Sequence, residues 1–99
     1  MTNEKWYDEN MKAFFTAVLA LETEEDCLDF FADICTVSEL QAISQRLRVA
    51  KLLRAGESYN AITAETGVSA ATISRVSRCL EYGSGGYDRI LDRLKSDEG

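Results

Sequence analysis

The chain has no histidine and no proline, and only three of its 99 residues are cysteine. Without histidine, the usual general base at neutral pH and the common nucleophile–base triads are missing. Cys27, Cys35 and Cys79 include no Cys-x-x-Cys pair, so they do not read as a zinc site. They read as buried or half-buried free thiols in a reducing compartment. No enzymatic activity, no metal and no cofactor are expected. The lack of proline removes the commonest helix breaker and favours an all-helical chain. No apolar run approaches the roughly 18 residues that a membrane span needs. The stretch "MTNEKWYDEN" lacks the apolar core of a signal peptide. The expected location is the cytoplasm, with no membrane partner.

What remains is a globular composition. Hydrophobic residues make up 45% and charged residues 28%, which excludes a disordered chain. The length predicts one domain over residues 1–99. A chain this short buries a modest core, and many such chains complete it by dimerising.

The net charge of −6 hides an uneven distribution. Residues 1–40 set Lys5 and Lys12 against ten acids, a net of −8. Residues 41–80 carry Arg46, Arg48, Lys51, Arg54, Arg75 and Arg78 against Glu57 and Glu65, a net of +4. Residues 81–99 return to −2. A basic middle can supply phosphate contacts even in an acidic protein. Arg46 and Arg48 could instead pair with the acidic N-terminal helices.

Apolar residues recur at helical steps along most of the chain. Trp6, Tyr7, Met11, Phe14, Phe15, Val18, Leu19 and Leu21 predict a helix from about Glu4 to Leu21. Thr23 ahead of Glu24, Glu25 and Asp26 reads as a cap and an acidic first turn. The second helix carries Cys27, Leu28, Phe30, Phe31 and Ile34. Ser38 is the expected cap of a long third helix, which carries Leu40, Ile43, Leu47, Ala50, Leu52 and Leu53 and stops at Gly56. Two short helices follow, from about Ser58 to Glu65 and from after Ser69 to about Leu80. "YGSGGY" is a turn, and Tyr87, Ile90, Leu91 and Leu94 mark a last amphipathic helix. Six helices and no strand are expected.

The pair around Gly67 is the specific signal. A short helix, a glycine turn and a second helix make a helix-turn-helix. Ile62, Val68, Ile73 and Val76 can share one small core. Ala70, Ala71, Thr72, Ser74, Arg75, Ser77 and Arg78 then face outward. The segment "GVSAATISRVSRCL" contains no acidic residue. A helix entering the major groove needs a slim N-terminal end, hydroxyls, arginines and no carboxylate. An ordinary helical hairpin with a serine-rich face is the plainer alternative.

The sequence "AISQRLRVAKLLRAGESYNAITAETGVSAATISRVSRCL" resembles the Trp repressor family, and within it the short, Trp-repressor-like YerC/YecD group. The likeness covers roughly Cys35 to Leu80. It rests on "TVSELQAISQRLRV", "LLRAGESY" and the "G-x-x-x-A-T-I-S-R" turn and helix. The resemblance implies an all-α, six-helix, intertwined homodimer. The helix-turn-helix would lie at about residues 58–80 and the dimerisation helices at about 4–55 and 87–95. It implies DNA contacts at Asn60, Ala61, Ser69, Ala70, Ala71, Thr72, Ser74, Arg75 and Arg78. Thr63 stands where the family has a lysine. The family's corepressor pocket would fall on Arg46, Arg75, Val76 and Cys79. In tryptophan-sensing members a glycine stands at Val76 and a serine at Cys79, so tryptophan is not expected as the corepressor. Whether another small-molecule effector binds there stays open.

The expected function is a sequence-specific transcriptional regulator, acting as a repressor in the bacterial cytoplasm and nucleoid-associated when bound. Its partners would be a second copy and double-stranded DNA carrying a palindromic operator. The alternative is a helical protein-interaction module whose basic face docks an acidic protein.

Overall fold

The structure, a computed structural model, describes residues 5–98, and these form six α-helices with no strand among the described residues. Two compact units divide the chain, Met1–Val37 and Ser38–Gly99. No helix among the described residues is long and apolar enough to cross a membrane.

The first unit holds α1 (Glu9–Leu19) and α2 (Glu24–Ile34). The apolar spacing suggested a start near Glu4, which lies outside the described residues. The helix begins later because Asp8 is extended and its carboxylate accepts the Met11 N–H at 2.9 Å. That cap satisfies an N–H left unpaired in the first turn and fixes the start. Thr23 caps α2 in the same way, accepting the Asp26 N–H at 3.0 Å. Asp26 in turn accepts the Glu22 N–H at 3.0 Å. The two helices meet through rings. Phe14 stacks on Phe30 with centroids 6.2 Å apart and meets Phe31 edge-on at 6.4 Å. No residue of α1 or α2 is fully buried, and of the three cysteines expected to be buried or half-buried only Cys35 is half-buried, while Cys27 and Cys79 are exposed.

The second unit is built from α3 (Val37–Arg54), α4 (Tyr59–Thr66), α5 (Ala70–Tyr82) and α6 (Gly86–Glu98), with Val37 just across the division. Ser38 is not the cap of α3. Only Cys35 and Thr36 separate α2 from α3, so helical backbone resumes at Val37 and Ser38 sits inside the first turn. Beyond Arg54 the chain closes with Glu57 N–H bonded to Leu52 C=O at 3.1 Å and Gly56 N–H to Leu53 C=O at 3.0 Å. This paired closure needs a left-handed residue, supplied by Gly56 at φ 88°.

Val49 and Ala50 of α3, Ile62 of α4, Val68 of the following turn, Ile73 and Val76 of α5, and Leu91 of α6 form the core. Leu47, Leu52, Leu53, Leu80 and Tyr87 pack around it. At the end of α5, a Cβ on Gly83 would run into the Cys79 carbonyl, so only glycine lets the chain leave there. α6 is tied back to α3 by one side chain. Arg54 Nη2 donates to Asp92 Oδ1 at 2.6 Å, and Arg54 Nε lies 3.5 Å from Asp88 Oδ1. Asp88 and Asp92 are one helical turn apart, so both face the same guanidinium.

The core predicts its own sensitivity. Ile73→Ala should cost about 2–5 kcal/mol, because the enclosed site cannot collapse fully around the missing atoms. Ser74→Ala on the exposed side of the same helix should stay within about 0.5 kcal/mol. Urea unfolding of both variants checks this.

Candidate nucleic-acid interface

The turn between α4 and α5 is held by a few side-chain bonds. Ser58 caps α4, its Oγ accepting the Ala61 N–H at 3.1 Å. At the other end, the Thr66 hydroxyl donates to Ile62 C=O at 2.7 Å and accepts the Val68 N–H at 3.1 Å. One side chain thus spans the last turn of α4 and the first residue past Gly67. Gly67 is left-handed at φ 75°, and its N–H bonds Thr63 C=O at 2.8 Å. A side chain at that φ would be strained. Val68 then inserts into the core.

Ser69 opens α5. Its Oγ accepts the Thr72 N–H at 3.3 Å and donates to Thr72 Oγ1 at 3.2 Å. The N–H groups of Ala70 and Ala71, in the first turn, have no intrahelical partner and face a helix end of positive polarity. No acidic residue lies in that first turn.

Ala70, Ala71, Ser74, Arg75 and Arg78 are exposed on α5, while Thr72 and Ser77 are half-buried. On α4, Asn60 and Thr63 are exposed and Ala61 is half-buried. The structure brings Ala71, Ser74, Arg75, Ser77 and Arg78 to one open cleft of about 650 Å³. Tyr59 and Glu81 line it too. Neither stands out in the sequence, although Tyr59 directly follows the Ser58 cap and Glu81 lies one turn beyond Arg78. Asn60 and Ala61 do not line this cleft.

The cations of the basic middle divide into two sets. Arg48 pairs with Glu65 at 3.0 Å, within the second unit. Arg54 is taken by Asp88 and Asp92. Arg46, Lys51, Arg75 and Arg78 make no ion pair among the described residues.

The four residues of the expected ligand pocket are distributed over three places. Arg46 and Cys79 line a groove of about 530 Å³ with Ile43, Leu47, Tyr87, Ile90 and the turn Gly83 to Gly86. Arg75 lines the polar cleft instead. Val76 is 1% exposed and belongs to the core with Ile62 and Ile73. Burial pushes the Tyr87 phenol above its ordinary pKa and the nearby Cys79 adds to the rise, while the charges of Arg46 and Arg75 oppose it. Both arginines are therefore felt at the same phenol.

Thr66→Val should destabilise the unit by about 1–2 kcal/mol, because the Val68 N–H loses its partner while the shape is kept. Circular dichroism should show unchanged helicity below the transition and an earlier urea midpoint.

Comparison with known proteins is consistent across sequence and structure. The sequence profile of the Trp repressor protein family matches residues 9–95. The uncharacterized protein YerC of Bacillus subtilis (strain 168) is 46% identical over 98 residues, spanning 99% of this chain and 94% of that protein. A Staphylococcus aureus crystal structure, described as a candidate Trp repressor, superposes with a TM-score of 0.90 at 47% identity, covering 96% of this chain and 95% of that one. A TrpR-like protein from Eubacterium eligens ATCC 27750 also gives a TM-score of 0.90, at 45% identity over 94% of this chain and 96% of that one.

Proposed function

We propose that this chain, which belongs to the Trp repressor family, is a sequence-specific DNA-binding transcriptional regulator that acts as a repressor. The observation that carries this reading is the outer face of α5. Its small residues Ala70, Ala71 and Ser74 leave room for close approach, and Arg75 and Arg78 are exposed and make no ion pair among the described residues. Glu81, the first carboxylate on the helix, comes only in its last turn. With α5 in the major groove, the short residues meet base edges and the arginines meet phosphates. Hydroxyls, backbone N–H groups and bridging water then supply much of the readout.

The protein acts as a homodimer on a palindromic operator, its two heads reading half-sites one helical turn apart, roughly 34 Å. Support comes from large apolar residues left exposed in both units, among them Trp6, Leu19, Leu28, Ile43 and Ile90. Faces of this kind call for a partner surface. Cytoplasmic action fits the three cysteines, which are all free thiols.

Tryptophan is not the corepressor. Val76 fills core space where tryptophan-sensing members carry glycine, and Cys79 is a weak substitute for a serine hydroxyl. A helix-turn-helix already packed around Val76 needs no ligand to reach its binding pose.

Fluorescence anisotropy with genomic DNA fragments at two salt concentrations tests the reading. Affinity should fall steeply with salt, and Ala71→Glu should abolish binding without altering helicity. Arg78→Ala should weaken binding to all sequences alike and reduce the salt slope by about one. Millimolar L-tryptophan should leave every affinity unchanged. A response flat in salt, or normal binding by Ala71→Glu, would favour the protein-docking alternative.

A further inference from the structure

We infer that Glu81 is a repulsive determinant of the α5 face: its carboxylate opposes the phosphates of any duplex docked there and keeps the protein off DNA whose base edges α5 does not match. This rests on the DNA-binding reading of α5 and adds what limits the affinity of that same surface.

Glu81 directly follows the acid-free segment "GVSAATISRVSRCL". It is exposed and lines the cleft with Ser74, Arg75 and Arg78, the one carboxylate among the described residues there. Arg78 stands three residues before it, a spacing at which helix side chains can pair. No ion pair joins the two, and Glu81 makes none among the described residues. Glu81 also stands in the last turn of α5, where the negative end of the helix dipole disfavours an anion and no basic residue offsets it. Neither the core nor the helix gains from this carboxylate, so its effect falls on what docks in the cleft.

Position decides what it meets. At 1.5 Å of rise per residue, Glu81 lies roughly 15 Å along α5 from Ala71. The major groove is only about 8.5 Å deep. With the N-terminal end of α5 in the groove, Glu81 lies outside it, at the sugar-phosphate rim. An ionised carboxylate only accepts hydrogen bonds, and a phosphodiester offers no donor. Repulsion between the two is left without a compensating bond. It is the same for every sequence, because the backbone is the same. Non-specific binding rests almost wholly on phosphate contacts, so this repulsion removes a large share of it. At a matched site the short residues at the start of α5 add base contacts, and the complex survives the same repulsion.

Fluorescence anisotropy on several unrelated duplexes and on the best-bound genomic fragment tests this. Glu81→Gln should tighten binding to all of them about fivefold at low salt, the size of one exposed charge interaction in each of two heads. The gain should fade at about 0.5 M salt, where exposed charges are screened. Glu81→Lys should tighten binding further and steepen the salt slope by about one for each head. The Glu81→Gln gain should persist in an Arg78→Ala background, because the carboxylate acts on phosphate and not by holding Arg78. Asp33→Asn makes the same change in net charge at an exposed position of α2 and should stay within about twofold. Unchanged helicity in Glu81→Gln keeps the comparison on binding. Wild-type affinity in Glu81→Gln, a gain confined to one sequence, a gain lost with Arg78, or an equal gain in Asp33→Asn overturns the inference. The two readings fail differently. If Ala71→Glu loses binding while Glu81→Gln binds as the unmodified protein does, only the role of Glu81 falls. If neither the unmodified protein nor Glu81→Lys binds any duplex, or Ala71→Glu binds normally, the DNA reading falls and takes Glu81 with it.

Discussion

The contact among Ile62, Ile73 and Val76 is what the second unit depends on. Each is essentially inaccessible to water, and they come from two helices joined by a three-residue turn. Branched side chains at such a crossing have few rotamers, so the angle between α4 and α5 is tightly specified. That angle decides which side of α5 is left in solvent. Val49 and Ala50 supply the floor from α3, and Leu91 closes the far side from α6. The exposed arginines and small residues are the complement of this packing: they stand outside because the branched residues stand inside.

Electrostatics is then settled by which cations the fold consumes. Arg48 and Arg54 answer carboxylates on α4 and α6 and serve as ties between helices. Such exposed pairs contribute little energy each. They do remove two positive charges from the surface available to a partner. Arg75 and Arg78 keep theirs, so the cleft along α5 holds two guanidinium groups against the one carboxylate of Glu81 in a protein whose net charge is −6. Local arrangement, not the total, sets what this face attracts.

Much of this was legible in the sequence, for identifiable reasons. The helix-turn-helix core could be read because its period, its glycine and Ser69 ahead of α5 are local signals. Gly67 and Ser69 occupy the positions their chemistry suggests, while Ser58, where the spacing starts α4, is its cap. The start of α1 is not legible in the spacing, because Trp6 and Tyr7 continue the apolar pattern while Asp8 stops the backbone. Ser38 looked like a cap, but the link from α2 is too short to make it one. The Arg54 tie to Asp88 and Asp92 spans 34 to 38 residues and leaves no local signal. Tyr59 was overlooked for a similar reason. Its place in the cleft depends on how α4 crosses α5, which no periodicity reports.

The two hydroxyls at the start of α5 have a consequence for how this surface can diverge. Ser69 and Thr72 bond each other as well as the backbone, so a change at either is felt in the helix cap. Ala70, Ala71 and Ser74 make no side-chain hydrogen bond among the described residues and pack into no core. If α5 reads DNA as proposed, substitutions at these three positions would alter what it recognises while folding stays nearly neutral. On that reading descendants of this chain are free to explore new targets at 70, 71 and 74, whereas 69 and 72 are held in place by the architecture itself.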